Sequence, residues 1–273
     1  MAPGADRADT ASGKVSPRLM LVSDLDNTMV DHHDANNERL ASFNKLWESE
    51  FSHDSLLVFS TGRSPVLYEQ LRTEKPLLTP GIAITSVGTE IVYGDTLQAD
   101  KGWKEILDQG WNRSKVLELT KKYPTLKLQA DTEQRPHKIS FHVEKNEAQK
   151  IVPELTAAFE QEKLAAKIIY SGGYDLDILS KAAGKGQALA YLLKKFKSQG
   201  HPPKNVLVCG DSGNDIELYE VEGVNGVIVG NAMEELVAWY DSQGDKGHVF
   251  RATQRCAAGI VEAIKHFKFD SSS

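Results

Sequence analysis

Leu19-Met20-Leu21-Val22-Ser23-Asp24-Leu25-Asp26-Asn27-Thr28 joins a short apolar run to a pair of carboxylates. Residues 19–25 are apolar, few and bounded by polar neighbours, which predicts a buried strand rather than a helix. Asp24 and Asp26 stand two residues apart just past that strand and can project toward one site. One could attack an electrophilic phosphorus while the other handles a proton. Taken alone, such a pair is more often a loop of solvated acids.

Working outward, strands alternate with helices. A helix is expected over 37–47, with Leu40, Phe43 and Trp47 on one face. Residues 55–60 read as a second buried strand, and Pro65 suits the first turn of the helix after it. Residues 81–86 and 89–93 read as a hairpin-like pair. The alternation resumes later: helix over 185–196, strand 205–210, short helix from 215, strand 226–229 and helix 233–239. This order predicts an α/β fold with a mostly parallel sheet covered on both faces. Residues 102–179 have another texture, with amphipathic helices near 111–123 and 147–161 and alternating strands near 138–143 and 167–170. They read as an inserted α+β module. The expected organisation is a tail at 1–17, a core of 18–101 and 180–268, the insert between, and a tail at 269–273.

Further chemistry falls at strand ends, where open α/β sheets bind ligands. Thr61-Gly62 offers a hydroxyl and an unhindered backbone N–H for a phosphate oxygen, although a plain turn is the bland reading. Gly210-Asp211-Ser212-Gly213-Asn214-Asp215 follows another buried strand, and its acids suit a magnesium site. Asn214 and Asp215 also suit a helix N-cap, which is compatible with ligation. Lys185, between Gly184 and Gly186 at a helix start, is electrostatically poor unless an anion lies nearby. A solvated lysine is the alternative.

In this order the four motifs resemble those of the haloacid dehalogenase-like (HAD) phosphatases, whose core is Rossmann-like and whose α+β caps sit between the second and third motifs. The likeness extends to the plant sucrose-phosphate phosphatase family through Ser23-Asp24-Leu25-Asp26-Asn27-Thr28-Met29-Val30-Asp31, Phe59-Ser60-Thr61-Gly62-Arg63-Ser64 and Ser86-Val87-Gly88-Thr89-Glu90. Gln134-Arg135-Pro136-His137-Lys138 and Ser171-Gly172-Gly173-Tyr174-Asp175-Leu176-Asp177-Ile178-Leu179 carry it into the insert. The resemblance implies hydrolysis of sucrose-6-phosphate to sucrose and phosphate through a phospho-aspartate. It makes Asp24 the nucleophile and Asp26 the acid and base. Thr61, Gly62, Lys185 and Asn214 would meet the phosphoryl group. Mg2+ would lie on Asp24, the Asp26 carbonyl and Asp211, with Asp215 supporting. Gln134, His137, Lys138, Asp175 and Asp177 would read the sugar. It also implies association with a sucrose-phosphate synthase. Plant members commonly continue into a further C-terminal domain, whereas this sequence stops at Ser273.

Composition narrows the alternatives. The formal charge of −6, with no clustered Lys/Arg block, argues against a nucleic-acid partner. No run reaches the roughly 18 apolar residues of a membrane span. Cys209 and Cys256 lack a CxxC spacing and read as reduced buried thiols, in keeping with a cytoplasmic protein. The first 17 residues have no apolar run, so they read as a disordered tail rather than a signal peptide. His32-His33 between Asp31 and Asp34 reads as a solvated loop, because adjacent side chains point apart. Trp47, Trp103 and Trp111 read as core residues. The rivals are a phosphatase for another sugar phosphate, a phosphomannomutase-like enzyme that returns the phosphoryl group, and a non-catalytic domain. Intact Asp24, Asp26, Thr61, Lys185 and Asp211 favour an enzyme.

Overall fold

Strand β1 (Met20–Ser23) is buried along its whole length in the computed structural model, which describes residues 15–94, 98–244 and 247–270. Positions 1–14 of the expected N-terminal tail and 271–273 of the C-terminal one lie outside these residues. A strand without a solvent face must be covered on both sides. Among the described residues, eight strands form the main sheet in the order β12 (Val249–Arg251), β11 (Asn225–Ile228), β10 (Val206–Gly210), β1, β2 (Leu56–Ser60), β3 (Ile82–Thr85), β4 (Glu90–Tyr93) and β5 (Gln98–Ala99). The first six run parallel, and β4 and β5 are antiparallel additions at one edge. The sheet thus grows in opposite directions from β1, making its C-terminal end a topological switch point where ligands bind.

The period of two along the strands sorts side chains between two cores. Leu21, Leu57 and Leu207 pack against Phe43 and Trp47 of α1 (Glu38–Glu50), Leu71 of α2 (Pro65–Glu74) and Ile260 of the last helix, Cys256–His266. Met20, Val58 and Val208 face Trp103 of α3 (Lys101–Leu107) and Leu189 and Leu192 of the helix Lys185–Ser198. Each such buried side chain contributes about 2 kcal/mol, so one charge in β1 would destabilise the layer that carries the Asp24 loop. Trp103 and Leu107 pack with the main sheet, so α3 lies on that sheet although the sequence placed it in the insert.

The second sheet runs β6 (Lys127–Leu128), β7 (Lys138–His142), β9 (Asp175–Ser180), β8 (Ala166–Ser171), all antiparallel. Ile139, Phe141, Leu176 and Ile178 pack against Val116 of α4 (Arg113–Thr120) and Leu155 of α5 (Lys145–Gln161). Register pairs Ser140 with Asp177 and His142 with Asp175 on the opposite face. That polar face looks onto the C-terminal ends of the main strands. The remaining helices follow in chain order: α6 (Lys185–Ser198), α7 (Ile216–Tyr219), α8 (Glu234–Ser242) and α9 (Cys256–His266).

Candidate active site

Asp24 follows β1 directly and Lys185 opens α6, and the two meet in the interior. Lys185 Nζ, wholly buried, lies 3.0 Å from Asp24 Oδ1 and 2.7 Å from Asp215 Oδ1. Asp215 Oδ2 accepts the backbone N–H groups of Asp211 (3.0 Å) and Ser212 (3.2 Å). Both of its oxygens are therefore engaged. Asp211 Oδ1 accepts the Thr28 hydroxyl at 2.9 Å, tying the loop after β10 to the loop after β1. The carboxylates of Asp24, Asp211 and Asp215 offer ligand atoms within 4.8 Å of one another.

One lysine cannot balance three buried carboxylates. Burial pushes the Asp24 carboxyl up to about 7, with Asp215 and Asp26 adding to the rise and Lys185 opposing it. Burial likewise pushes Asp211 up to about 9, aided by the charges of Asp24 and Asp215. Hard oxygen donors in a site short of positive charge are suited to a divalent cation, so the cluster can hold a metal.

Asp26 is directed elsewhere. Its carboxylate accepts Arg63 Nε and one terminal Arg63 nitrogen, both at 2.7 Å, and lies 2.6 Å from His32 Nε2. Burial works to raise its pKa, but the Arg63 hydrogen bond and charge, with His32, outweigh burial and hold it below the usual carboxylate value. Both histidines of the pair are exposed, as expected of a solvated loop, and His32 also contacts the Asp26 carboxylate. The cause is local: Asn27 is left-handed (φ 57°), and Leu25 O accepts both Thr28 N and Val30 N. That tight turn returns the chain past Asp26.

Thr61 is buried, and its hydroxyl accepts Arg63 N at 3.1 Å. The 61–63 loop is braced by Ser86 and Val87, both at positive φ: Ser86 N donates to Arg63 O and Val87 N to Thr61 O. A β-branched residue is strained there, so packing must hold it. Gly88 (φ 81°) follows, and a Cβ on it would lie 2.1 Å from Gly184 O. Only glycine lets this hairpin back directly onto the start of α6, which carries Lys185.

A cleft of about 410 Å³ opens between the two sheets. Asp24, Asp26, Gly62, Asp211 and Asn214 line its floor, and Lys138, Asp175 and Asp177 its roof. Lys138 Nζ is 3.2 Å from Glu133 Oε2, 3.6 Å from Asp177 Oδ1 and 3.4 Å from Gly62 O, so it joins roof to floor. Asp177 accepts the Ser140 hydroxyl at 2.5 Å, and Asp175 accepts Gln129 and meets His142, each at 3.0 Å. Of the five residues expected to read the sugar, two do not line the cleft. The Gln134 amide donates to Gln129 O and Ser140 O and accepts Ser140 N, which fastens a loop to β7. His137 Nε2 lies 2.7 Å from Asp108 beside a separate small cavity with Thr89 and Trp103. Conversely, Arg63, Gln129, Glu133 and His142 line the cleft without having been singled out. His142 was accessible by counting in twos from Lys138.

A parallel sheet with a switch point at β1, carboxylates and a lysine at its strand ends and an inserted α+β sheet above them define a HAD-like hydrolase fold. A family model for sucrose-6F-phosphate phosphohydrolase matches residues 17–268, and the chain belongs to that family. It is 59% identical over 253 residues to a probable sucrose-phosphatase 2 of Arabidopsis thaliana, covering 92% of this chain and 60% of that protein. It is 58% identical over 257 residues to sucrose-phosphatase 2 of Nicotiana tabacum, covering 94% of this chain and 60% of that one. The chain therefore spans about 60% of the length of these plant relatives. A Synechocystis sucrose-phosphatase solved in complex with sucrose and phosphate superposes with a TM-score of 0.83 at 34% identity, covering 92% of this chain and 98% of that one. No helix among the described residues is long and apolar enough to cross a membrane.

Proposed function

We propose that the chain hydrolyses sucrose-6-phosphate to sucrose and inorganic phosphate through a phospho-aspartate on Asp24. The observation that carries this reading is the buried Lys185 bridging Asp24 and Asp215 below a polar roof. An Asp24 oxygen bonds to phosphorus as the bond to the sugar oxygen breaks, and Asp26 gives that oxygen a proton. Asp26 then takes a proton from the water that attacks the phospho-aspartate, which frees phosphate and restores Asp24. The ionised Asp26 held by Arg63 suits this second half. The first half needs Asp26 protonated, and His32 is in contact to supply the proton. Thr61, Gly62, Lys185 and Asn214 hold the phosphoryl oxygens. Magnesium held by Asp24, the Asp26 carbonyl and Asp211, with Asp215 behind, would neutralise charge at the reacting group.

The second sheet acts as a cap whose Lys138, Asp175 and Asp177, together with Gln129 and His142, pair sugar hydroxyls. A site built this way rejects esters that leave its polar groups unpaired. A sucrose-phosphate synthase, which supplies the substrate, is the partner this reaction implies. The buried free thiols Cys209 and Cys256 accord with the reducing cytoplasm. A phosphate-release screen over sugar phosphates, with and without magnesium, tests the proposal. Sucrose-6-phosphate should give the highest kcat/KM and chelation should abolish release. Better turnover of a monosaccharide phosphate would sink the substrate assignment, and no release from any ester would sink the reaction.

A further inference from the structure

The left-handed turn at Asn27 is held by the loop after β11 and by the start of α9. Its carbonyl oxygen accepts Asn231 Nδ2 at 2.8 Å and the Cys256 thiol at 3.2 Å. Asn231 Oδ1 in turn accepts Cys256 N at 2.8 Å. That N–H belongs to the first residue of α9, among the amides a helix cannot pair internally. The Asn231 amide therefore uses its acceptor on α9 and its donor on the loop between Asp26 and Thr28. Few side chains can do both, since aspartate offers no donor and leucine offers neither group.

The surrounding backbone is arranged for this bridge. Gly230 N donates to Gln254 O at 2.8 Å, and a Cβ on Gly230 would lie 2.5 Å from Thr253 O. Glycine at 230 lets the chain before α9 approach closely enough for Asn231 to reach Cys256. Cys256 itself sits at φ 48°, an uncommon conformation for a side-chain-bearing residue that its neighbours must hold. Two strained residues, Asn27 and Cys256, are thus joined through one amide.

We infer that Asn231 is a positioning residue for the Asp24–Asp26 loop, with the Cys256 thiol as an auxiliary donor. The inference rests on the reading of that loop as the seat of phosphoryl transfer. Holding the Asn27 carbonyl fixes the Asn27–Thr28 peptide, one residue past Asp26, so losing its donor lets the attacking and proton-transferring carboxylates drift relative to the phosphate. Sub-ångström drift lowers turnover more than it weakens binding.

Steady-state kinetics of full-length Asn231→Ala, Asn231→Asp, Cys256→Ser and Cys256→Ala test this, using sucrose-6-phosphate and p-nitrophenyl phosphate with saturating magnesium. Both Asn231 variants should lose ~10- to 100-fold in kcat on both esters, with KM for the sugar phosphate within ~3-fold of wild type. Cys256→Ser keeps a donor and should stay within ~2-fold of wild type, whereas Cys256→Ala should fall between it and the Asn231 variants. Asn231→Asp is nearly isosteric and keeps the acceptor for Cys256 N, so it carries the test if the alanine variant does not fold. A folded Asn231 variant with wild-type kcat, or one whose loss lies wholly in KM, overturns the inference. A wild-type chain that releases phosphate from neither ester would overturn the inference together with the reading beneath it.

Discussion

Asp24, Asp211 and Asp215 share one lysine, and that imbalance has thermodynamic consequences. The carboxyls of Asp24 and Asp211 lie at about 7 and about 9, against 3.8 for an unperturbed aspartate. Without metal, the folded chain binds these protons more tightly than the unfolded chain does. Their contribution to stability is therefore full below about pH 4 and is lost as pH rises through about 7 and then about 9. A bound cation favours the charged forms and opposes that loss. Magnesium should thus raise Tm more at about pH 8 than at about pH 5.5, measured against chelated protein at each pH. Equal shifts at both would mean that these carboxylates are not the ligands. Lys185 faces the same arithmetic. Lys185→Met should destabilise the metal-free chain by about 3 kcal/mol in urea denaturation, because two buried carboxylates lose their counter-charge. Adding Asp215→Asn should recover part of the loss. A Lys185→Met chain as stable as wild type would show that the pair contributes nothing.

At the scale of elements, β7 and β9 divide their labour by parity. Ile139, Phe141, Leu176 and Ile178 build the core of the second sheet, while Lys138, Ser140, His142, Asp175 and Asp177 face the cleft. Within that face Lys138 and Asp177 are buried and paired with each other, whereas His142 and Asp175 are more open to a ligand. His142→Ala or Asp175→Ala should therefore raise KM for sucrose-6-phosphate ~10-fold while leaving p-nitrophenyl phosphate turnover unchanged. Equal losses on both esters would place these residues in support of the fold. The same parity explains what was legible beforehand. Fully buried strands such as β1, β2 and β10 are continuous apolar runs, and the alternation of Asp175, Leu176, Asp177 and Ile178 announces a two-faced strand. Gln134 and His137 misled because their polarity serves a backbone clamp and an Asp108 contact, and long-range pairing leaves no local signature. Helix α9 carries its stripe partly on Ala257 and Ala263, a weak apolar signal. His32 reaches Asp26 only because Asn27 turns left-handed.

Across the whole molecule, the second sheet is fastened to the main one at separate points. Arg135 grips Glu90 through two hydrogen bonds of 2.7 and 2.9 Å, Lys167 of β8 pairs with Glu217 of α7, and Glu133 accepts Ser64 N at 3.2 Å. Partly exposed pairs of this kind contribute ~0.5–1 kcal/mol each. Breaking two together, in Glu90→Gln/Lys167→Met, should raise KM for the sugar phosphate ~5-fold through weaker closure and change p-nitrophenyl phosphate turnover less than ~2-fold. An unchanged KM would mean that these pairs do not govern closure. The proposed reaction requires one oxygen of Asp24 to become bonded to phosphorus. The most direct test is to quench the enzyme during turnover of sucrose-6-phosphate, reduce it with borohydride and map it by mass spectrometry. An acyl phosphate reduces to the alcohol, so the account predicts homoserine at position 24 and at no other aspartate, with none formed in Asp24→Asn. Phosphate release at full rate with Asp24 unmodified, or with the mark on another residue, would contradict it.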